Sequence, residues 1–218
     1  MQMNKNAGKL ARTLAVLSLS CAAALSLQGC VELAVGSAVV GTFAATDRRT
    51  FGAQTEDKAI VLKGEVRLSR VLGGASHINV TAFNRHALLT GEVPDENAKA
   101  QAEREMRAVE GVSAVTNELQ IAGVSSFAAR SNDTLITTKV KASLVDTKDI
   151  YAGAYKVVTE AGVVYLMGRV TQREGALAAE VARGVSGVRK VVKVFEYISE
   201  TELKEITASP NKTNDTNY

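Results

Sequence analysis

The sequence contains very little cysteine, histidine and proline, and it has no tryptophan. Its 218 residues include two cysteines, two histidines and two prolines. Both cysteines, Cys21 and Cys30, lie within the first 30 residues. The chain after Cys30 therefore has no thiol for a disulfide bond, a metal site or nucleophilic catalysis. We expect that part of the chain to be held together by its hydrophobic core alone.

The sequence also lacks the motifs that are typical of enzymes. It has no G-x-S-x-G, P-loop, G-x-G-x-x-G or H-E-x-x-H pattern. The two histidines, His77 and His86, are expected in a loop before a strand and in a hairpin turn, not as metal ligands. The sequence predicts no metal, no cofactor and no catalytic site, so we do not expect an enzyme.

The charge balance of the chain argues against nucleic acid as a partner. The chain has 26 Lys and Arg residues and 23 Asp and Glu residues, which gives a net charge of +3. Residues 1–29 contain Lys5, Lys9 and Arg12 but no acidic residue, so the rest of the chain is balanced. A nucleic-acid-binding domain usually carries a basic stripe or a high pI. We therefore expect no nucleic-acid partner.

The N-terminal segment resembles the signal peptide of a bacterial lipoprotein. The three basic residues precede a mostly apolar run over 14–27 that is too short to be a good membrane span. This run ends in Leu-Gln-Gly followed by Cys30, which resembles a lipobox. The resemblance implies cleavage after residue 29 and acylation of Cys30, with palmitate as an expected acyl group. Val31 follows Cys30, a position where Asp would imply retention in the inner membrane. The resemblance thus implies the outer membrane, with the protein facing the periplasm.

Three alternatives stay open for this region. Cys21 is a competing acylation site, although Ser18 stands where a lipobox has an aliphatic residue. An ordinary secretory signal with an incidental cysteine is also compatible with the pattern. The small residues up to Ala45 are expected to form a tether near the membrane, and an inserted helix is the alternative.

The remainder of the chain contains an internal duplication with a period of about 76 residues. Val80, Leu89 and Gly91 align with Val157, Leu166 and Gly168. Upstream, Asp57 and Ile60 align with Asp133 and Ile136, and downstream Val109 and Gly111 align with Val185 and Gly187. A period of this length indicates a duplicated small domain, because solenoid repeats are shorter.

Each copy reads as a helix, two strands, a second helix and a last strand. The first helix is expected to begin near Asp57 or Asp133, which are good capping residues. Ala161-Gly162 is expected to form a hairpin turn. Thr171 and Glu174 have the spacing of a capping box. The sequence predicts an α+β fold of two tandem αββαβ domains, each a three-stranded mixed sheet packed under two helices.

Each copy has a strand, a Gly-x-Val, an Ala-rich helix and a Val-x-Gly-Val before the last strand. This pattern resembles the BON domain of bacterial envelope proteins. Two such domains behind a lipobox resemble a group of outer-membrane lipoproteins. The expected organisation is a signal peptide over 1–29, a lipidated tether over 30–54, a BON domain over 55–121, a linker over 122–131, a second BON domain over 132–198 and a disordered tail over 199–218. Because each domain is small, we expect the two to dock through the short linker.

The first helix of the second copy is the best candidate for a binding surface. Its residues suggest an apolar edge rimmed by lysines, which could enter a lipid interface. The alternative is that all its aliphatic side chains face the sheet and its lysines are solvated. The resemblance implies that this helix binds anionic phospholipid, which carries over by position to Leu135, Ile136, Lys139, Val140, Lys141 and Leu144.

The resemblance also implies a role in envelope integrity. The first copy has Ala59, Gly64 and Glu65 at the positions of Leu135, Val140 and Lys141. It is therefore less suited to lipid, and we expect it to dock or to contact protein. The alternative function is a non-catalytic scaffold that binds an outer-membrane protein assembly partner.

Overall fold

The structure, a computed structural model, describes residues 47–208, apart from the side chain of Ala75. The predicted signal peptide, Cys30 and most of the predicted tether lie outside these residues. The first domain contains α1 (Phe51–Leu72), β1 (His77–Phe83), β2 (His86–Val93), α2 (Glu96–Arg107), β3 (Ala114–Asn117) and β4 (Gln120–Ile121). The second contains α3 (Phe127–Asp146), β5 (Tyr155–Glu160), β6 (Val163–Val170), α4 (Gln172–Arg183) and β7 (Lys190–Tyr197), and α5 (Glu200–Ala208) follows it.

The first helix of each domain begins earlier than the sequence predicts. Helix α1 is capped by Thr50, whose hydroxyl accepts a hydrogen bond from the N–H of Ala53. Helix α3 is capped in the same way by Ser126, inside the segment expected to be a linker. The expected N-caps, Asp57 and Asp133, instead lie buried within the helices. The prediction failed because the first turns of both helices lack the apolar periodicity of the later turns.

Asp57 and Asp133 hold the hairpin turns. In the second domain the carboxylate of Asp133 accepts hydrogen bonds of 2.9 and 2.8 Å from the N–H groups of Ala161 and Gly162. Both turn residues have positive φ, as the predicted hairpin turn requires. Asp57 binds the turn N–H groups of the first domain with two bonds of 2.8 Å. Each helix is therefore fixed to its own hairpin by one buried carboxylate.

The strand order confirms the α+β prediction. Strands β1 and β2 are antiparallel, while β3 and the short β4 both pair parallel with β2. In the second domain β5 pairs antiparallel and β7 parallel with β6. The backbones of β1 and β2 approach closely at Gly91, where a Cβ atom would collide with the carbonyl oxygen of His77. A side chain is therefore not tolerated at this strand glycine.

Each sheet buries one face under its two helices. In the second domain Ile136, Val140 and Leu144 of α3 pack with Val157 and Leu166 of the sheet. This confirms the predicted apolar stripe of the helix. In the first domain, Ile60 and Leu68 of α1 occupy the equivalent layer with Met106 of α2. All these core residues lie between 60 and 198, so a chain that begins at residue 31 keeps both cores.

The other faces of the two sheets pack against each other. Phe83 and Leu88 of the first domain form a buried cluster with Tyr165, Met167 and Val194 of the second. The amide of Asn79 also donates a 2.8 Å hydrogen bond to Glu160 across this interface. The domains were expected to dock through the linker, but the main contact is sheet on sheet. Strand alternation places apolar side chains on both faces of each sheet, and both faces must be covered.

The segment before α1 binds both domains. Arg48 is buried against the second domain and makes a two-bond ion pair with Glu174, with distances of 2.6 and 2.9 Å. Arg49 pairs at 2.7 Å with Asp57 of the first domain, and its guanidinium lies 4.2 Å from the ring centre of Phe83. Two adjacent arginines thus connect the domains ahead of the first helix.

The prediction of a disordered tail over 199–218 is wrong in part, because α5 occupies Glu200–Ala208. Its side chain Leu203 is buried, and Glu202 forms a 2.7 Å ion pair with Arg169 of β6. One apolar side chain and one ion pair are too weak a pattern to identify such a helix in a polar sequence. Residues 209–218 lie outside the described part. Within residues 47–208, no helix has the length and apolar character needed to cross a membrane.

The substitution Asp133→Ala should lower the free energy of unfolding by about 1–3 kcal/mol, because two turn N–H groups lose their acceptor. Urea unfolding followed by circular dichroism measures this change. Asp146→Ala, at the exposed end of the same helix, is the control and should cost much less. Equal losses in the two variants would contradict the assigned role of Asp133.

The Arg48–Glu174 pair predicts a pH dependence. Burial by itself would raise the pKa of Glu174, but the hydrogen bonds from Arg48 and from the Thr171 N–H outweigh it and lower the pKa below 4.5. The resulting stabilisation is complete above pH 4.5 and is lost as the pH falls through the lowered folded value.

Wild type should exceed Glu174→Gln in unfolding free energy by about 3–5 kcal/mol at neutral pH. Denaturant unfolding between pH 7 and 3 should show this gap shrinking below about pH 4.5. Glu180→Gln, on the exposed side of the same helix, should give a small gap that does not change. A gap for Glu174→Gln that is constant with pH would refute the assignment.

Candidate functional site

Helix α3 presents two large apolar side chains to solvent on its outer side. Phe127, its first residue, is 80% exposed, and Leu135 is 60% exposed. The cap at Ser126 starts the helix early enough to include Phe127. Soluble proteins normally leave such side chains in water singly, so two on one helix mark a surface that could meet an apolar partner.

Only part of the predicted lipid-binding set lies on this surface. Ile136, Val140 and Leu144 are buried against the sheet and cannot reach a membrane while the domain is folded. Leu135 and Lys139 are exposed, and Lys141 is half-buried. The six predicted residues thus divide into three that build the core and three that are accessible. The division follows from the helical period, because Leu135 and Ile136 point about 100° apart.

The charges of α3 favour an anionic partner. Arg130, Lys139 and Lys141 lie on the helix, and within residues 47–208 none of them forms an ion pair with an acidic side chain. Asp133 is buried and bound to the hairpin turn. The acidic side chain left exposed on the helix is Asp146, at its far end. The outer side of the helix therefore carries a surplus of positive charge.

The equivalent helix of the first domain has a different surface. Leu62 and Val66 are exposed on α1, one turn apart. However, Lys63 is paired at 2.8 Å with Glu110, and Arg67 is paired at 2.6 Å with Glu105. These two cations are already neutralised within the domain. Helix α1 therefore combines exposed aliphatic side chains with less free positive charge than α3.

A second polar site lies between the two sheets. His77 and Glu92 are opposite each other in the β1–β2 register, with 3.0 Å between Nδ1 and Oε2. Glu160, at the end of β5 in the other domain, joins them. One ligand-type atom from each of the three residues lies within 4.8 Å of the other two. We call these three residues the interface triad.

The triad brings two carboxylates together in a buried place. Burial raises the pKa of Glu160; the hydrogen bond from Asn79 opposes this rise, and the Glu92 charge adds to it. Both carboxylates are buried, while the His77 side chain is 21% exposed. The triad is therefore a buried cluster of two carboxyl groups and one imidazole, with the imidazole side open to solvent.

Sequence reasoning missed the triad. His77 was expected in a loop, and it is the first residue of β1. The hairpin register alone could have paired His77 with Glu92. No local signal could have added Glu160, because the packing of the two domains brings it there. The other histidine, His86, lies 2.8 Å from the hydroxyl of Thr116. Burial lowers its pKa against the opposing charge of Glu196.

The architecture agrees with comparisons to known proteins. The BON domain model matches residues 62–123 and again residues 132–199. The chain is 38% identical over 184 residues to the outer membrane lipoprotein DolP of Haemophilus influenzae, covering 84% of this chain and 95% of that protein. It is 35% identical over 154 residues to a 21 kDa hemolysin of Actinobacillus pleuropneumoniae, covering 70% and 79%.

A third relative matches over a shorter region. The osmotically inducible protein Y of Escherichia coli is 30% identical over 120 residues, covering 54% of this chain and 60% of that protein. Three findings point to the same family. The BON model matches two segments, the two domains have similar folds, and the match covers nearly all of the Haemophilus protein. The chain belongs to the BON-domain family and is an outer-membrane lipoprotein of the DolP type, with two BON domains.

Proposed function

We propose that this lipoprotein binds anionic phospholipid through helix α3 of its second BON domain and in this way supports the integrity of the cell envelope. In this proposal the signal peptide is removed and acylated Cys30 holds the protein to the outer membrane, facing the periplasm. The observation that carries the proposal is the exposed Leu135, with the exposed Lys139 one helical turn away and the half-buried Lys141 further along the same helix. An apolar side chain with unpaired cations matches the acyl chains and phosphates of a lipid surface.

The expected affinity is low. Burying one leucine side chain contributes about 2 kcal/mol, and each cation near an anionic surface contributes about 1 kcal/mol. For Leu135 with Lys139 and Lys141 the sum is about 4 kcal/mol, which corresponds to a dissociation constant on the order of a millimolar. Such a contact is reversible and needs millimolar lipid, so it does not replace a covalent anchor. In the presence of the Cys30 anchor, it would instead orient the second domain and bias the lipids among which the protein gathers.

A scaffold that binds an outer-membrane assembly protein is the second candidate. Leu62 and Val66 support it, because two aliphatic side chains one turn apart form an apolar contact on the first domain. Their neighbours Lys63 and Arg67 are paired within the domain. This surface is therefore better suited to protein than to anionic lipid.

Vesicle flotation separates the two candidates. A chain that begins at residue 31 should float with vesicles containing an anionic phospholipid at several millimolar lipid and low salt. Leu135→Glu should reduce the floated fraction at least tenfold, because a carboxylate replaces the inserted side chain. Leu62→Glu, an equally exposed leucine on the equivalent helix, is the control and should float like wild type. Absence of flotation by the wild-type chain would reject lipid binding and favour the scaffold.

The cations can be tested separately. Lys139→Glu should weaken flotation and make the remaining binding less sensitive to salt, because one phosphate contact is lost. Lys58→Glu makes the same charge change at an exposed position of α1 and is the control. If both variants lose binding equally, net charge and not α3 governs the interaction.

A further inference from the structure

The interface triad combines ligand types that suit a metal ion. His77, Glu92 and Glu160 supply one imidazole nitrogen and two carboxylate oxygens. Neutral imidazole favours first-row transition metals, and carboxylates stabilise their charge. The three groups come from three strands and from both domains. A bound cation would therefore connect the two sheets at one end of their packed faces.

The distances are compatible with a small cation. Four-coordinate Zn²⁺ with ligand bonds of about 2.0–2.2 Å separates its ligand atoms by about 3.3–3.6 Å. His77 Nδ1 and Glu92 Oε2 are 3.0 Å apart, and all three ligand atoms lie within 4.8 Å of one another. Binding would require small rotations of the two glutamate side chains towards this spacing.

A second observation points to an additional polar group at this place. Among residues 47–208 the hydroxyl of Thr90 has no hydrogen-bond partner, although Thr90 is only 1% exposed. Thr90 lies opposite Asn79 and two residues before Glu92, so its side chain is on the sheet face that carries the triad. Ser125, whose N–H donates to Glu92, also has a buried hydroxyl that finds no partner in the described part of the chain. Water on a cation at the triad would offer these hydroxyls a partner.

We propose that His77, Glu92 and Glu160 bind a divalent transition-metal ion, with Zn²⁺ as the best match, and that the ion ties the two BON domains together. The partly exposed imidazole of His77 leaves a path from solvent, while the two buried glutamates supply the compensating negative charge. The amide of Asn79 orients Glu160 by donating a 2.8 Å hydrogen bond to its carboxylate. This site is independent of the lipid contact on α3.

Direct titration tests the site. A tag-free chain that begins at residue 31, which keeps both domain cores, is titrated with ZnCl₂ in an isothermal calorimeter. We expect one Zn²⁺ per chain and a rise in the thermal unfolding temperature that EDTA reverses. Mg²⁺ at the same concentration should give neither effect, because it does not favour imidazole. Co²⁺ bound at the site should show visible absorption that Zn²⁺ removes.

Variants locate the binding. Glu160→Gln keeps the shape of the side chain but removes its charge, and it should weaken Zn²⁺ binding at least tenfold. His77→Ala should weaken binding by at least as much. His86→Ala removes the other histidine of the same sheet and should leave the affinity within twofold of wild type. Circular dichroism without metal checks that each variant folds. If His77→Ala does not fold, the Zn²⁺ affinity of Glu160→Gln alone tests the site.

Several results would overturn the proposal. A wild-type chain that takes up no Zn²⁺ at high micromolar concentration has no site of this kind. Equal binding by wild type and Glu160→Gln would place any bound ion elsewhere, and an equal response to Mg²⁺ would exclude a transition-metal site. None of these results bears on vesicle flotation, so the two proposals can fail separately.

Discussion

The packing of the two sheets against each other is the constraint on which the rest of the structure depends. Phe83 and Leu88 meet Tyr165, Met167 and Val194, so each sheet has a helix layer on one side and the other domain on its second side. This arrangement forces the helices to the outside, where α1 and α3 expose their outer faces. It also buries polar side chains such as Glu92 and Glu160, which would be solvated in separate domains.

The two domains share one set of buried hydrogen bonds and differ in the side chains that they expose to solvent. In each, a buried aspartate of the first helix binds the N–H groups of the hairpin turn, which fixes the helix on the sheet. The exposed side chains of the two helices take no part in these hydrogen bonds, and they differ between the two copies. On helix α1, Lys63 and Arg67 are paired with glutamates of the same domain. Within residues 47–208, Arg130, Lys139 and Lys141 of α3 form no ion pair with an acidic side chain. One fold therefore carries two different exposed helix surfaces in its two copies.

Most secondary-structure elements could be predicted because their signals are local. The apolar period of α3, the Ala161-Gly162 turn and the Thr171–Glu174 capping box are all present as expected. The starts of α1 and α3 could not be placed correctly, because Thr50 and Ser126 cap turns that have no apolar stripe. Helix α5 was missed for a related reason: Leu203 is its only buried apolar side chain.

The candidate sites were less predictable than the fold. The helix that carries Leu135 could be identified, but its six predicted contacts included Ile136, Val140 and Leu144, which belong to the core. A helical pattern indicates which residues share a face, and the position of the sheet determines which face is covered. The ion pair of Arg48 with Glu174 joins residues 126 positions apart, so spacing could not reveal it.

Local patterning was sufficient to establish the duplication and the αββαβ order of each copy, because these depend on neighbours in the chain. The lipobox at Cys30 is also a local pattern, and it stays a prediction. The sheet-on-sheet contact, the Arg48 connection and the meeting of His77 and Glu92 with Glu160 depend on long-range packing. Free energy from burying the second face of each sheet brings these distant side chains together, and no pattern within either copy encodes which groups will meet.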